Sequence, residues 1–319
     1  MTVIAERLST PIRLRGACLL RVVLGSLICA FYVLHAPIRD FLWGLDGEIP
    51  RTTFLRNVSA NHGALNLYVW AHTSTEFQLV FAAGFLVTLL WTLGVRTRFF
   101  GPFVFAFTWS LMYRNETLMN GGWRMLLLVL CYLSFADVGR YFSIETVLGR
   151  GPSRLPRLPS RLLALLHNGA ILVCLCQIII MYVFSTFYKL TGHMWQDGTA
   201  LYYILRSAEF EIPGVSSFIY HSAVLVTLGT YGALALQAAF PWLVFNSRLK
   251  WFGLVGAMGF HLGIAFLMGL VWFSVIIISV DLLFIPDTTY QAIAAKLRGW
   301  WARLPSRAPN AFPATGGGA

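Results

Sequence analysis

Residues 162–188 read LLALLHNGAILVCLCQIIIMYVFSTFY, a run of 27 positions without Asp, Glu, Lys or Arg. About 20 apolar residues in a helix are enough to cross the hydrocarbon core of a bilayer. The stretch therefore reads as a membrane span, and the pattern recurs on both sides of it. Further apolar runs fall at about 17–36, 77–94, 99–113, 122–136, 221–246, 251–268 and 270–286. Their lengths and flanks predict helices. The expected fold is an all-α, polytopic transmembrane helical bundle of about eight spans. The runs at 99–113 and 122–136 are short for a full crossing. The last two share one stretch of 36 residues (251–286), so a broken or re-entrant helix is expected near Gly269, in AFLMGLVWF. Backbone leaves helical geometry at membrane depth only where protein or a cavity covers it.

Composition agrees. The chain is 57% hydrophobic and 12% charged, with a mean hydropathy of +0.68, against roughly 25% charged residues in soluble domains. Cys18, Cys29, Cys131, Cys174 and Cys176 all lie in apolar runs, which excludes a disulfide framework or a CxxC redox pair. The opening MTVIAERLSTPIRLRG precedes an apolar run that lacks a small-x-small cleavage site, so the first span is expected to be uncleaved.

The net charge of +11 is spread over short loops beside the spans, which argues against nucleic-acid binding and for a chain whose constant partner is the lipid bilayer. The flanks 1–16, 95–98, 137–161, 247–250 and 287–319 hold 16 basic residues. The opposite side holds seven, and Arg21 lies within a span. Cytoplasmic loops are enriched in Lys and Arg, so both termini are expected in the cytoplasm and the loops 37–76, 114–121 and 189–220 outside. Only three of the 24 basic residues are lysines, a bias that suggests a GC-rich bacterial genome and nothing more; the expected location is a bacterial cytoplasmic membrane.

The chain divides into a cytoplasmic segment (1–16), a membrane domain (17–286) and a cytoplasmic tail (287–319). In that tail AAKLRGWWARL (294–304) is expected to lie on the membrane as a basic amphipathic helix, and APNAFPATGGGA (308–319) to be disordered. The connector GPSRLPRLPSR (151–161) should be irregular. The long loop 37–76, with DFLWGLDGEIP and LYVWAH, is of a length that more often caps or binds than tethers.

The residues with chemical potential gather around YKLTGHMWQDGTALYYIL (188–205). Lys189 closes the long span and is followed by His193, Trp195 and Asp197. A lysine there either snorkels to the headgroups or sits in an apolar pocket, where loss of water favours a free amine able to act as a base. His261, in LVGAMGFHLGIAFLMGL (254–270), is an isolated histidine in a span. Such a residue normally faces the bundle interior, as a polar tie between helices or as a functional group. Arg21 needs an acid, carbonyls, an anionic ligand or the cytoplasmic surface. The loop MYRNETLMNGGWRM (112–125) brings Arg114, Asn120, Gly121 and Gly122 to the exterior face, as an ordinary turn or as the floor of a site. No HExxH, P-loop, GxSxG or paired-Cys motif occurs, so no metal is predicted.

In this order, RVVLG (21–25), GVRTR (94–98), the Asn120-Gly121-Gly122 loop, SFADVGRYFSIE (134–145), YKLTGHMWQDG (188–198) and GFHLGIAFLMGLVWFS (259–274) resemble the horizontally transferred transmembrane (HTTM) family. Its best-known class is the vitamin K-dependent gamma-glutamyl carboxylase. The Lys-to-Trp-x-x-Gly stretch is the most specific match. The resemblance implies a membrane domain with its site on the extracytoplasmic side and a reduced vitamin K or menaquinol as cofactor. It also implies that Lys189 is the base that deprotonates the quinol, so that oxygenation creates a strong base for proton abstraction from glutamate before carbon dioxide adds. His261, His193, Trp195, Asp197, Asn120, Gly121 and Arg114 would border the substrate or cofactor cavity. The carboxylase has a histidine where this chain has Gly121, and this chain ends about where the carboxylase begins its lumenal domain. By length the chain is more similar to short bacterial members needed to mature secreted toxin peptides. Two functions follow: a quinol-dependent enzyme acting on a peptide or small exterior substrate, or a non-catalytic membrane partner for maturation or export of a small secreted or membrane peptide.

Overall fold

The computed structural model describes residues 10–60, 65–149 and 159–301, and every regular element among them is helical. Each apolar run carries one helix: α1 (Leu14–His35), α2 (Ser74–Thr92), α3 (Thr97–Arg114), α4 (Gly121–Leu133), α5 (Ser160–Leu190), α6 (Ala223–Phe245), α7 (Lys250–Met268) and α8 (Val271–Asp281). A ninth, α9 (Asp287–Trp301), follows. Five stretches among the described residues are long and apolar enough to cross a membrane: Leu14–Trp43, which extends α1, and helices α2, α5, α6 and α7. On length and composition, five of the expected eight crossings are met, or six if the bent pair α8 and α9 forms one span. The shortfall is physical: α4 has 13 residues and α8 has 11, against the roughly 20 a full crossing takes. Helix α3 carries Arg98 and Arg114 in its end turns and Thr108 and Ser110 between them.

Helix starts follow local chemistry. Thr73 and Glu76 form a reciprocal capping box on α2, the threonine Oγ1 accepting from the Glu76 N–H at 3.2 Å and the glutamate accepting from the Thr73 N–H at 3.1 Å. Helix α7 ends at Gly269, whose φ of +69° is the left-handed C-terminal cap that glycine supplies without strain. The chain re-enters helix at Val271. After α8 the axis bends by 101° into α9, where Pro286 lacks the N–H a continuing helix needs.

Helix α1 packs on α2, α4, α8 and α9, while α6 packs on both α5 and α7. Helix α8 lies between the groups and touches α1, α4, α5 and α7. The core residues Leu20, Leu24, Ile28, Ile276, Ile277 and Val280 are 1% exposed or less.

Arg21 is fully buried in this core. Its guanidinium donates to the carbonyls of Trp91 (2.8 Å), Thr92 (2.9 Å), Tyr141 (3.4 Å) and Phe142 (2.5 Å). A helix leaves its last carbonyls unpaired and its C-terminus partly negative, and Arg21 answers the end of α2 on both counts. Of the partners open to it in sequence, carbonyls are the ones it has.

The same end of the bundle is laced by His167 in α5. Its Nδ1 accepts from the Asp137 N–H at 3.0 Å, so Nε2 is the nitrogen that donates to the Ile12 carbonyl at 2.8 Å. Asp137 also pairs with Arg140 (2.8 Å) and Arg98 (3.5 Å). Asp287 accepts from the backbone N–H groups of Leu14 and Arg15 at 2.9 and 2.8 Å. The first turn of the tail is therefore fastened to the start of α1. Beyond it, Ala295 through Trp300 are exposed. The connector 151–161, apart from its last residues, and the tail from 302 onward lie outside the described residues.

Candidate functional site

The end of the bundle opposite Asp287 contains a cavity of about 370 Å³, within the range of small-molecule sites. Its walls come from one face of each of three helices. Met181, Ser185 and Lys189 project from α5 at four-residue spacing; Gly229, Ala233 and Gln237 do the same on α6; and Phe260, His261, Ile264 and Met268 share a stripe of α7. Gly121 at the start of α4 and Leu270 and Phe273 at the start of α8 complete the floor, while Trp195, Leu201 and Ile204 come from the connection between α5 and α6.

That connection is fixed rather than draped. The Tyr231 hydroxyl donates to the Gln196 carbonyl at 2.7 Å, and Thr230 accepts from the Leu201 N–H at 3.1 Å. Gln196 donates back to the Leu190 carbonyl at 2.7 Å.

Lys189 is half-buried, and its Nζ donates to Ser185 Oγ (2.5 Å) and Gln237 Oε1 (2.7 Å). The nitrogen also lies 5.1 Å from the centroid of the Trp195 ring, a cation–π distance. Both hydrogen-bond acceptors are neutral, and no carboxylate lines the cavity among the described residues. His261 is 1% exposed. Its Nε2 lies 3.1 Å from the Tyr182 hydroxyl, and its Nδ1 is buried without a hydrogen bond.

The structure thus brings Lys189, His261, Trp195 and Gly121 to one cavity and places four other expected lining residues elsewhere. Asn120 caps α4, its Oδ1 accepting from the N–H groups of Gly122 and Trp123 at 2.9 and 3.3 Å. Arg114 is 2% exposed, stacks over Phe54 and donates to the carbonyls of Gly44 and Ile49. It therefore fastens the 37–76 loop to the bundle. His193 and Asp197 are exposed, at the start and just past the end of the short helix His193–Gln196. Gly122 packs instead against Phe273, where an added Cβ would lie 2.8 Å from the Phe273 Cα.

Sequence reasoning missed Ser185, Gln237, Tyr182 and Asp281. The first could have been found from its position four residues before Lys189, on the same helix face. Gln237 and Asp281 are polar residues inside apolar runs, which is itself a functional signal in a membrane. Among the described residues no group of three or more His, Cys, Asp or Glu side chains is arranged to hold a metal ion.

No family model and no solved structure matches the chain. Over 121 residues it is 29% identical to the uncharacterized protein YitO of Bacillus subtilis (strain 168), a match that covers 36% of this chain and 39% of that protein. The chain spans well under half the length of the relative it matches.

Proposed function

We propose that the chain is an HTTM-type protein of a bacterial cytoplasmic membrane that acts as a quinol-dependent enzyme on a peptide or small substrate at the exterior face. The observation that carries this reading is Lys189, which meets two neutral oxygens and no acid in a mostly apolar cavity. A carboxylate would hold the lysine charged, whereas this setting leaves it able to serve as a base. Ser185 and Gln237 hold the amine against the cavity wall, and His261 offers Nδ1 as a second polar atom. The aromatic walls formed by Trp195, Phe260 and Phe273 suit the ring of a reduced vitamin K or menaquinol, which would supply the reducing equivalents. In this reading all eight helices α1–α8 sit in the bilayer and both termini are cytoplasmic. The bonds from Leu14 and Arg15 to Asp287 support placing the two ends of the membrane domain on one face, and the basic flanks assign that face to the cytoplasm.

The test is oxygen uptake by purified protein supplied with a menaquinol, alongside mass spectrometry of quinones and peptides that co-purify from the native membrane. Bound quinone, quinol-dependent uptake and its loss in Lys189→Arg are expected, since arginine keeps a cation but supplies no free amine at neutral pH. An arginine variant as active as the parent would reject the base. Absence of quinone with a co-purifying peptide would leave a non-catalytic partner for maturation or export of a secreted peptide.

A further inference from the structure

Asp281, the last residue of α8, is 6% exposed, and neither of its carboxyl oxygens makes a hydrogen bond. It takes part in none of the ion pairs among the described residues. A carboxylate without donors or a counter-ion is costly in a bundle interior, and a proton on it removes most of that cost. Ionisable groups retained at such positions in membrane proteins commonly belong to ion or proton pathways.

Helix α8, which carries Asp281, packs on α5, which carries Tyr182, and the Tyr182 hydroxyl and the Asp281 carboxyl influence each other electrostatically with no hydrogen bond between them in this conformation. Tyr182 is itself fully buried, in the middle of α5. Its hydroxyl lies 3.1 Å from His261 Nε2. The other nitrogen of that ring is the unpartnered Nδ1, and His261 borders the cavity. Side chains of α8, α5 and α7 therefore stand in series from the bundle interior to the cavity wall.

A tyrosine hydroxyl has one proton to donate and lone pairs with which to accept. It can donate to Nε2 while accepting from a protonated Asp281, or accept from Nε2–H while donating to the Asp281 carboxylate. Those two arrangements are the two ends of a proton transfer. We propose that Asp281, Tyr182 and His261 form a proton wire between the cavity and the interior of the bundle. In one direction a proton from an acidic group in the cavity binds Nδ1, the Nε2 proton passes to the Tyr182 oxygen, and the tyrosine's own proton passes to the Asp281 carboxylate. Asp281 ends as the neutral acid, His261 as the neutral Nδ1–H tautomer and Tyr182 unchanged. The reverse order delivers a proton to the cavity. No electron moves and no co-reactant is needed. The wire goes beyond the reading of Lys189, since it requires neither a quinol nor a base at that position.

The test is infrared spectroscopy of the full chain in lipid nanodiscs on transfer from water to deuterium oxide. A carbonyl band of a protonated acid is expected that is lost in Asp281→Asn and that shifts as the proton exchanges. If that variant fails to fold, Asp281→Glu identifies the band by moving it. Tyr182→Phe and His261→Phe should each slow the exchange at least about tenfold, because each removes proton-carrying atoms from the series. Lys189→Met should leave it unchanged. Absence of a band from Asp281 across the neutral pH range overturns the wire, as does exchange equally fast in parent, Tyr182→Phe and His261→Phe. Loss of quinol-dependent oxygen uptake in Lys189→Met with normal exchange bears on the base alone, so the two readings fail separately.

Discussion

Lys189 Nζ donates to Gln237 Oε1 across 2.7 Å, joining the last turn of α5 to the middle of α6. The amide is 5% exposed, so a change of charge there would meet little solvent screening.

Gln237→Glu is the sharpest variant of the site. It keeps the size of the side chain but sets a carboxylate beside the amine, and an opposite charge at that range favours the protonated lysine. Quinol-dependent oxygen uptake should fall at least about tenfold, while the protein elutes normally on size exclusion. Gln237→Met removes the acceptor without adding charge and should retain more activity. Equal activity in the two variants would show that the charge state of Lys189 is irrelevant.

Arg21→Met should destabilise the bundle, because two carbonyls at the end of α2 and those of Tyr141 and Phe142 lose their donor. The loss is about 3 kcal/mol, read as a lowered unfolding midpoint in detergent. Gly94→Ala acts on the same corner. Gly94 has φ +86°, and an added Cβ would lie 2.6 Å from Arg21 Nη1 and 2.2 Å from Ser143 Cβ. Strain and clash together should cost about 2 kcal/mol or more. A midpoint unchanged in both variants would mean that this corner does not support the fold.

Asp287→Ala should lower stability by about 1 kcal/mol through loss of a helix N-terminal cap. Truncation after residue 290 keeps Asp287 and should leave a monodisperse protein, whereas truncation after 286 should match or exceed the alanine variant in its effect. Aggregation of the longer truncation would show that the exposed part of α9 packs on the bundle.

Both-termini-in topology is checked by single cysteines in a cysteine-free background. Asp46 and Glu209 are exposed at the cavity end, and Arg248 is exposed at the other. In intact cells an impermeant thiol reagent should label positions 46 and 209 and spare 248. The opposite pattern would reverse the orientation read from the basic residues.

The helices were legible because each apolar run is bounded by turn or charged residues, and Gly269 marked its break through the one conformation that favours glycine. How many helices cross was less legible, since a run of 13 or 18 residues looks alike whether it traverses lipid or packs within the bundle. At the site, Lys189 and His261 were readable as ionisable residues in apolar surroundings. Asn120 and Arg114 were misleading for a physical reason: a residue that caps a helix or fastens a loop has the same chemistry as one that binds a ligand. Gln237 stood out as a polar residue in an apolar run, but its partner did not, because that depends on which face of α6 turns toward α5 and the weakly amphipathic run does not reveal it.

The carboxylate of Asp287 also bears on the order in which this protein is completed. Arg13, at the start of α1, offers no side-chain cap, and the open N–H groups of Leu14 and Arg15 are met by a residue up to 273 positions later. Helix α1 is therefore finished by a segment of the chain made long after the helix itself. Until then its N-terminal turn must be held by water or lipid headgroups, and closure of this contact marks the moment when both ends of the membrane domain have arrived at the same face.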